Sequence, residues 1–119
     1  MGTEEKLNNN IENEVEAKAG VSVTLTKGDQ VANSARVNLL TGFASLSAKH
    51  TGTTGVLGVH IMSPIGLIDK AVKSWYLDPG ESFNSSFIQT TKDTHYLRLE
   101  SYDKRASGTG TLAPATIIA

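Results

Sequence analysis

Residues 70–89 read KAVKSWYLDPGESFNSSFIQ, and this stretch decides the fold class. From Lys70 to Leu77 the chain alternates, with Val72, Ser74 and Tyr76 on one face and Ala71, Lys73, Trp75 and Leu77 on the other. A period of two belongs to a strand, because successive side chains of an extended chain leave on opposite sides. Asp78-Pro79-Gly80 then stops it. Proline presets φ at the second position of a turn and glycine supplies the positive φ at the third, the requirements of a type II turn. Ser82 to Gln89 follows as the next strand.

The same texture extends both ways. Upstream, Val21, Val23 and Leu25 alternate with Ser22, Thr24 and Thr26 before a turn at Lys27-Gly28-Asp29. Ala35, Val37 and Leu39 predict a strand that Thr41-Gly42 closes, and strands at Phe43 to Lys49 and Gly55 to Met62 flank the turn-rich residues 50–54. Ser63-Pro64-Ile65-Gly66 interrupts the pattern before Lys70. Downstream, Thr94 to Tyr102 and Ser107 to Leu112 predict two further strands, the last ending before Pro114. About eight short strands with turn signals at intervals of roughly 8 to 12 residues predict an all-β antiparallel sandwich or jelly roll over residues 21–119. Strand order does not follow from periodicity.

Residues 1–20 differ. They carry five acids (Glu4, Glu5, Glu12, Glu14, Glu16) against Lys6 and Lys18, a net of −3. Leu7, Ile11 and Val15 recur every four residues, but Asn8-Asn9-Asn10 is a poor helical run. The reading is a flexible acidic arm or a short helix.

At 119 residues there is room for one domain, and a hydrophobic share of 39% lies above that of disordered chains. Eleven bases against 12 acids give a net charge of −1, without the clustered basic surplus of a nucleic-acid-binding surface. The absence of cysteine excludes disulfides, thiolate metal sites and a cysteine nucleophile. The apolar stretches fall short of the ~20 residues of a membrane-spanning helix. Met1-Gly2-Thr3-Glu4-Glu5 has neither the basic start nor the apolar run of a secretory leader, so a secreted protein would here have lost its leader.

Catalytic signals are sparse. His50, His60 and His95 lack HxH or HExxH spacing, and the simpler reading makes them strand histidines bonded locally, with no metal or cofactor. Serines, histidines and acids are present without a GxSxG elbow, and most acids of the β region fall at turns, where they serve the local backbone. Gly52, Gly55 and Gly58, like Gly108-Thr109-Gly110, fit no phosphate-binding loop and read as turns, bulges or narrow strand faces. Asn84-Ser85-Ser86 is a formal glycosylation sequon. These residues predict no enzyme.

The aromatics are the ligand-binding candidates: Trp75, Tyr76, Tyr96 and Tyr102. Exposed rings on a β-sandwich stack against the apolar faces of sugars. Trp75 and Tyr76 point to opposite faces, and a single tryptophan packs well at a sandwich centre. Tyr96 and Tyr102 are the better candidates for exposure.

The spacing Trp75-x-Leu77-x-Pro79-Gly80-x-Ser82, then Phe87, then Tyr96-x-Arg98-Leu99-x-Ser101, then Gly108-x-Gly110-x-Leu112 resembles small extracellular bacterial β-sandwich modules of the pre-peptidase C-terminal type. The resemblance covers about a third of the chain, brings no catalytic residue, and lacks the acidic cluster with which some such modules bind calcium. It implies an extracellular bacterial accessory or surface protein. Three functions stay open. The first is a non-enzymatic module that binds a polysaccharide or another surface component. The second is a homo-oligomer built by strand exchange through the arm or through Thr116-Ile117-Ile118-Ala119. The third is a small secreted antibacterial or toxin-like protein.

Overall fold

The computed structural model describes residues 20–115. The predicted N-terminal arm up to residue 19 and the apolar residues 116–119 lie outside them. Nine strands form in chain order: β1 (Val21–Leu25), β2 (Val31–Asn33), β3 (Val37–Asn38), β4 (Phe43–His50), β5 (Leu57–Ser63), β6 (Lys70–Leu77), β7 (Ser82–Gln89), β8 (Thr94–Glu100) and β9 (Gly108–Pro114). They make two antiparallel sheets. One has the order β1-β9-β4-β7; the other has the order β2-β8-β5-β6, with β3 also paired to β8.

The sheets pack through their apolar faces, as the alternation predicts. Leu25, Leu39, Leu46, Leu57, Val59, Ile61, Leu97, Leu99 and Leu112 are all essentially inaccessible to solvent. Burial of each such side chain is worth about 1.5–3 kcal/mol, the main term opposing chain entropy. The Pro-Gly turn forms with Gly80 at φ +83° and Glu81 N–H donating to Asp78 O at 2.9 Å. It joins strands of different sheets, so it is a corner of the sandwich. Trp75 on β6 and Phe83 on β7 stack across that corner with centroids 4.8 Å apart.

Two boundaries differ from the periodicity. The strand expected over Ala35 to Leu39 shrinks to β3, and an additional short strand, β2, forms ahead of it, with residues 34–36 between them. Ser34 is the cause: its N–H donates to Leu97 O at 2.8 Å while its Oγ accepts from Leu97 N–H at 2.9 Å. A side chain thereby takes a ladder position, and the backbone detours around it. At the other end of the chain, β8 stops at Glu100 instead of Tyr102. Residues 101–104 fold into a turn closed by Lys104 N–H donating to Ser101 O at 3.0 Å. Tyr102 consequently sits on a turn and swings into solvent.

Candidate functional site

The outer face of the five-stranded sheet carries the candidate site, and strand register assembles it. Tyr76 on β6 pairs with Gly58 on β5, which pairs with Glu100 on β8. One step along, Ser74 pairs with His60, which pairs with Arg98. These six side-chain positions all point away from the core, because their neighbours Leu57, Val59, Trp75, Leu77, Leu97 and Leu99 face inward. Gly58 leaves the floor low: a Cβ there would lie 2.9 Å from His60 Nε2. The result is a cleft of about 270 Å³ bounded by Val56, Gly58, His60, Tyr76, Glu100 and Tyr102. Its two tyrosines are prominent, Tyr76 being 66% and Tyr102 87% exposed.

The floor is a polar relay. His60 Nδ1 lies 2.7 Å from Ser74 Oγ, and His60 Nε2 faces Glu100 Oε1 at 3.3 Å. The ring of Tyr76 meets His60 edge-on with centroids 5.8 Å apart. Burial lowers the His60 pKa below its usual 6.5, and Arg98 adds to this, while Glu100 pulls the other way. At neutral pH the imidazole is therefore uncharged. The arrangement that satisfies both neighbours has Ser74 donating to Nδ1 and Nε2–H donating to the Glu100 carboxylate.

A serine, a histidine and a glutamate in line invite comparison with a nucleophilic triad. The geometry departs from one where it matters. The sheet's backbone N–H groups lie in its own plane, so none is aimed upward at Ser74 as a donor for a developing oxyanion. What the relay does supply is a fixed carboxylate and a fixed imidazole beneath two aromatic rings.

The relay has a consequence for stability. A histidine whose folded pKa is depressed binds a proton less readily than in the unfolded chain, so stability is full above pH 6.5 and is lost as pH falls through that value. Melting temperature measured between about pH 7.5 and pH 5 is expected to fall, and His60→Gln is expected to flatten that slope. An identical slope in the variant would show that another group carries it.

Of the four aromatic candidates, the structure brings Tyr76 and Tyr102 together. Trp75 is partly buried against Phe83 on the core side. Tyr96 corrects the sequence reading: it is 5% exposed, with its hydroxyl donating to Asp69 Oδ2 at 2.6 Å. It points outward from β8, but Asp69 and Arg98 close over it. His50 and His95 are buried and bonded within their own segments, His50 to Gly52 N–H and Gly55 O, His95 through Nδ1 to Asp93 O at 2.8 Å. The Nε2 of His95 is buried without a partner. No cluster of metal-ligating side chains occurs among the described residues. The GxG of β9 is a narrow strand face, where a Cβ at Gly110 would lie 2.8 Å from Leu97 Cδ2.

Glu100 and Ser74 were not singled out from the sequence as site residues, and Gly58 was read there only as a turn, bulge or narrow strand face. Alternation from Leu97 and Leu99 does place Glu100 on the outer face. Its partnership with His60, 40 residues away, required the β5–β8 register.

No family model matches the chain, and no curated protein matches it. A solved structure described as "Crystal structure of PirA" is similar, with a TM-score of 0.55 and 13% identity over 80% of this chain and 92% of that one. The likeness is one of fold. It supports the two-sheet β-sandwich over nearly the whole of that neighbour.

Proposed function

We propose that this protein is an extracellular, non-enzymatic binding module that recognises a glycan through the Tyr76–Tyr102 cleft. The observation carrying this reading is the pair of exposed rings standing over a floor that holds Glu100 and His60. Pyranose rings present apolar C–H faces and equatorial hydroxyls. The tyrosines match the first, and the Glu100 carboxylate accepts from the second in charge-assisted hydrogen bonds. The imidazole holds Glu100 in place, so little orientational freedom is lost on binding. Lys70 and Lys73 oppose strand addition at the β6 edge, whereas the β1 and β7 edges of the other sheet carry no charge, so strand exchange there is the second reading.

A glycan array followed by calorimetry on the best ligand tests the reading. Tyr102→Ala and Tyr76→Ala are each expected to weaken binding about tenfold, the equivalent of 1.4 kcal/mol. Glu100→Gln is expected to weaken it further without loss of fold. An array without a single bound glycan, or unchanged affinity in the Tyr76→Ala/Tyr102→Ala double variant, sinks the proposal. Labelling of Ser74 by a fluorophosphonate in a manner that depends on His60 would replace binding by acyl transfer.

A further inference from the structure

The end of the sandwich opposite the cleft has a different character. Strand β5 runs from Leu57 to Ser63, where the β5–β6 loop begins; the cleft covers the first half of the strand as far as His60, and the loop lies beyond its other end. The loop reads Ser63-Pro64-Ile65-Gly66-Leu67-Ile68-Asp69. Its three aliphatic side chains are exposed, Ile68 by 76% and Leu67 completely. Two further large apolar side chains stand exposed at this end, Leu40 before β4 and Phe87 near the end of β7. They share the end because Phe43 pairs with Gln89 and Gly42 O accepts from Thr90 N–H.

Charge is also distributed unevenly. Arg36, Lys70 and Lys92 lie at this end against Asp69 and Asp93, and Arg98, paired with His60 midway along the sheet, reaches towards it. The Asp69 carboxylate is already engaged by the Tyr96 hydroxyl. Immediately beside the loop is an open polar hollow of about 300 Å³ lined by Asn33, Ser34, Arg36, Asp69, Tyr96 and Arg98. Arg98 is held there by Nε donating to Asn33 Oδ1 at 2.8 Å and Nη2 donating to Tyr96 Oη at 3.3 Å. Two guanidinium groups against the single Asp69 carboxylate give this hollow a positive balance one residue from Ile68.

We propose that this end docks on an anionic phospholipid bilayer, with Ile65, Leu67 and Ile68 at the acyl boundary and Arg36 and Arg98 facing headgroup phosphates. A loop that exposes three aliphatic side chains within four residues suits a fluid bilayer, which demands no shape complementarity. Protein hot spots, by contrast, are built on aromatic and arginine anchors seated in pockets. Aliphatic side chains beneath a basic rim are the combination by which peripheral proteins lie at a membrane surface. The loop backbone stays at headgroup depth, where its polar groups keep their water. A glycan held in the opposite cleft would then face away from the membrane.

Vesicle flotation with the full chain tests this. The protein is expected to float with phosphatidylcholine vesicles containing about 30% phosphatidylglycerol, and roughly tenfold less with phosphatidylcholine alone. Leu67→Ser/Ile68→Ser is expected to reduce flotation about tenfold while melting temperature stays unchanged, since neither side chain packs in the core. Absence of flotation, equal flotation with both vesicles, or flotation undiminished in the double variant overturns the proposal. The array experiment on the cleft is independent of all three outcomes.

Discussion

Leu97→Ala is expected to cost about 2–5 kcal/mol, Gly110→Ala about 1–3 kcal/mol, and the two together less than their sum. Leu97 lies at the middle of β8, fully buried, and reaches across the core towards β9 in the other sheet. Its Cδ2 occupies the space that a side chain at Gly110 would need, with a Cβ placed only 2.8 Å away. Truncating Leu97 opens a cavity; adding a methyl at 110 overfills the same volume. Combined, each change relieves part of the other's cost, and a coupling of about 0.5–3 kcal/mol is the range for residues in contact. Denaturant unfolding of the four proteins in the cycle measures it. Strict additivity would mean that the sheets do not meet at this point. Gly108→Ala offers a contrast without rescue, because its Cβ would lie 2.6 Å from Lys49 O, a carbonyl at the β4–β9 pairing.

His50→Leu is the second large effect, about 3 kcal/mol of lost stability. His50 is fully buried at the end of β4. Gly52 N–H donates to its Nδ1 at 3.0 Å, so the ring proton is on Nε2 and is donated to Gly55 O at 3.1 Å. Its backbone meanwhile binds the β6–β7 corner, donating to Glu81 O at 2.9 Å and accepting from Gly80 N–H at 3.1 Å. Leucine fills the volume but leaves the half-buried Gly52 N–H and Gly55 O without their partner; unmet buried polar groups cost about 1–3 kcal/mol each, and half-buried ones lie towards the lower end. Amide exchange at residues 51–56 is expected to accelerate more than elsewhere. Because that loop delivers Val56 to the cleft rim, any glycan affinity found for the proposed site is expected to fall as well. Retained protection of the loop would show that His50 is a spectator.

The two large effects share a property with the cleft: each depends on residues far apart in the chain. Leu97 and Gly110 belong to different sheets, and the cleft joins β5, β6 and β8. A strand over Thr94 to Tyr102 was legible in the sequence, but not the partners that Leu97 and Glu100 would meet. Tyr96 shows the limit of alternation most clearly. Its outward direction was legible; that Asp69 and Arg98 would cover it was not.

The sequence by itself determined an all-β chain, the Pro-Gly turn, the alternating faces of β1, and the absence of thiol chemistry. Those properties are local, set by the period-two geometry of an extended chain, the φ preferences of proline and glycine, and composition. Tertiary structure alone decided the rest. Register set Tyr76, Gly58 and Glu100 in one row, the Ser34 detour split β2 from β3, and the turn at residues 101–104 released Tyr102 to the cleft. The physical reason is that pairing between distant strands is chosen by the collective packing of both sheets. Each strand presents many registers of similar local merit, and only burial of the shared core selects among them.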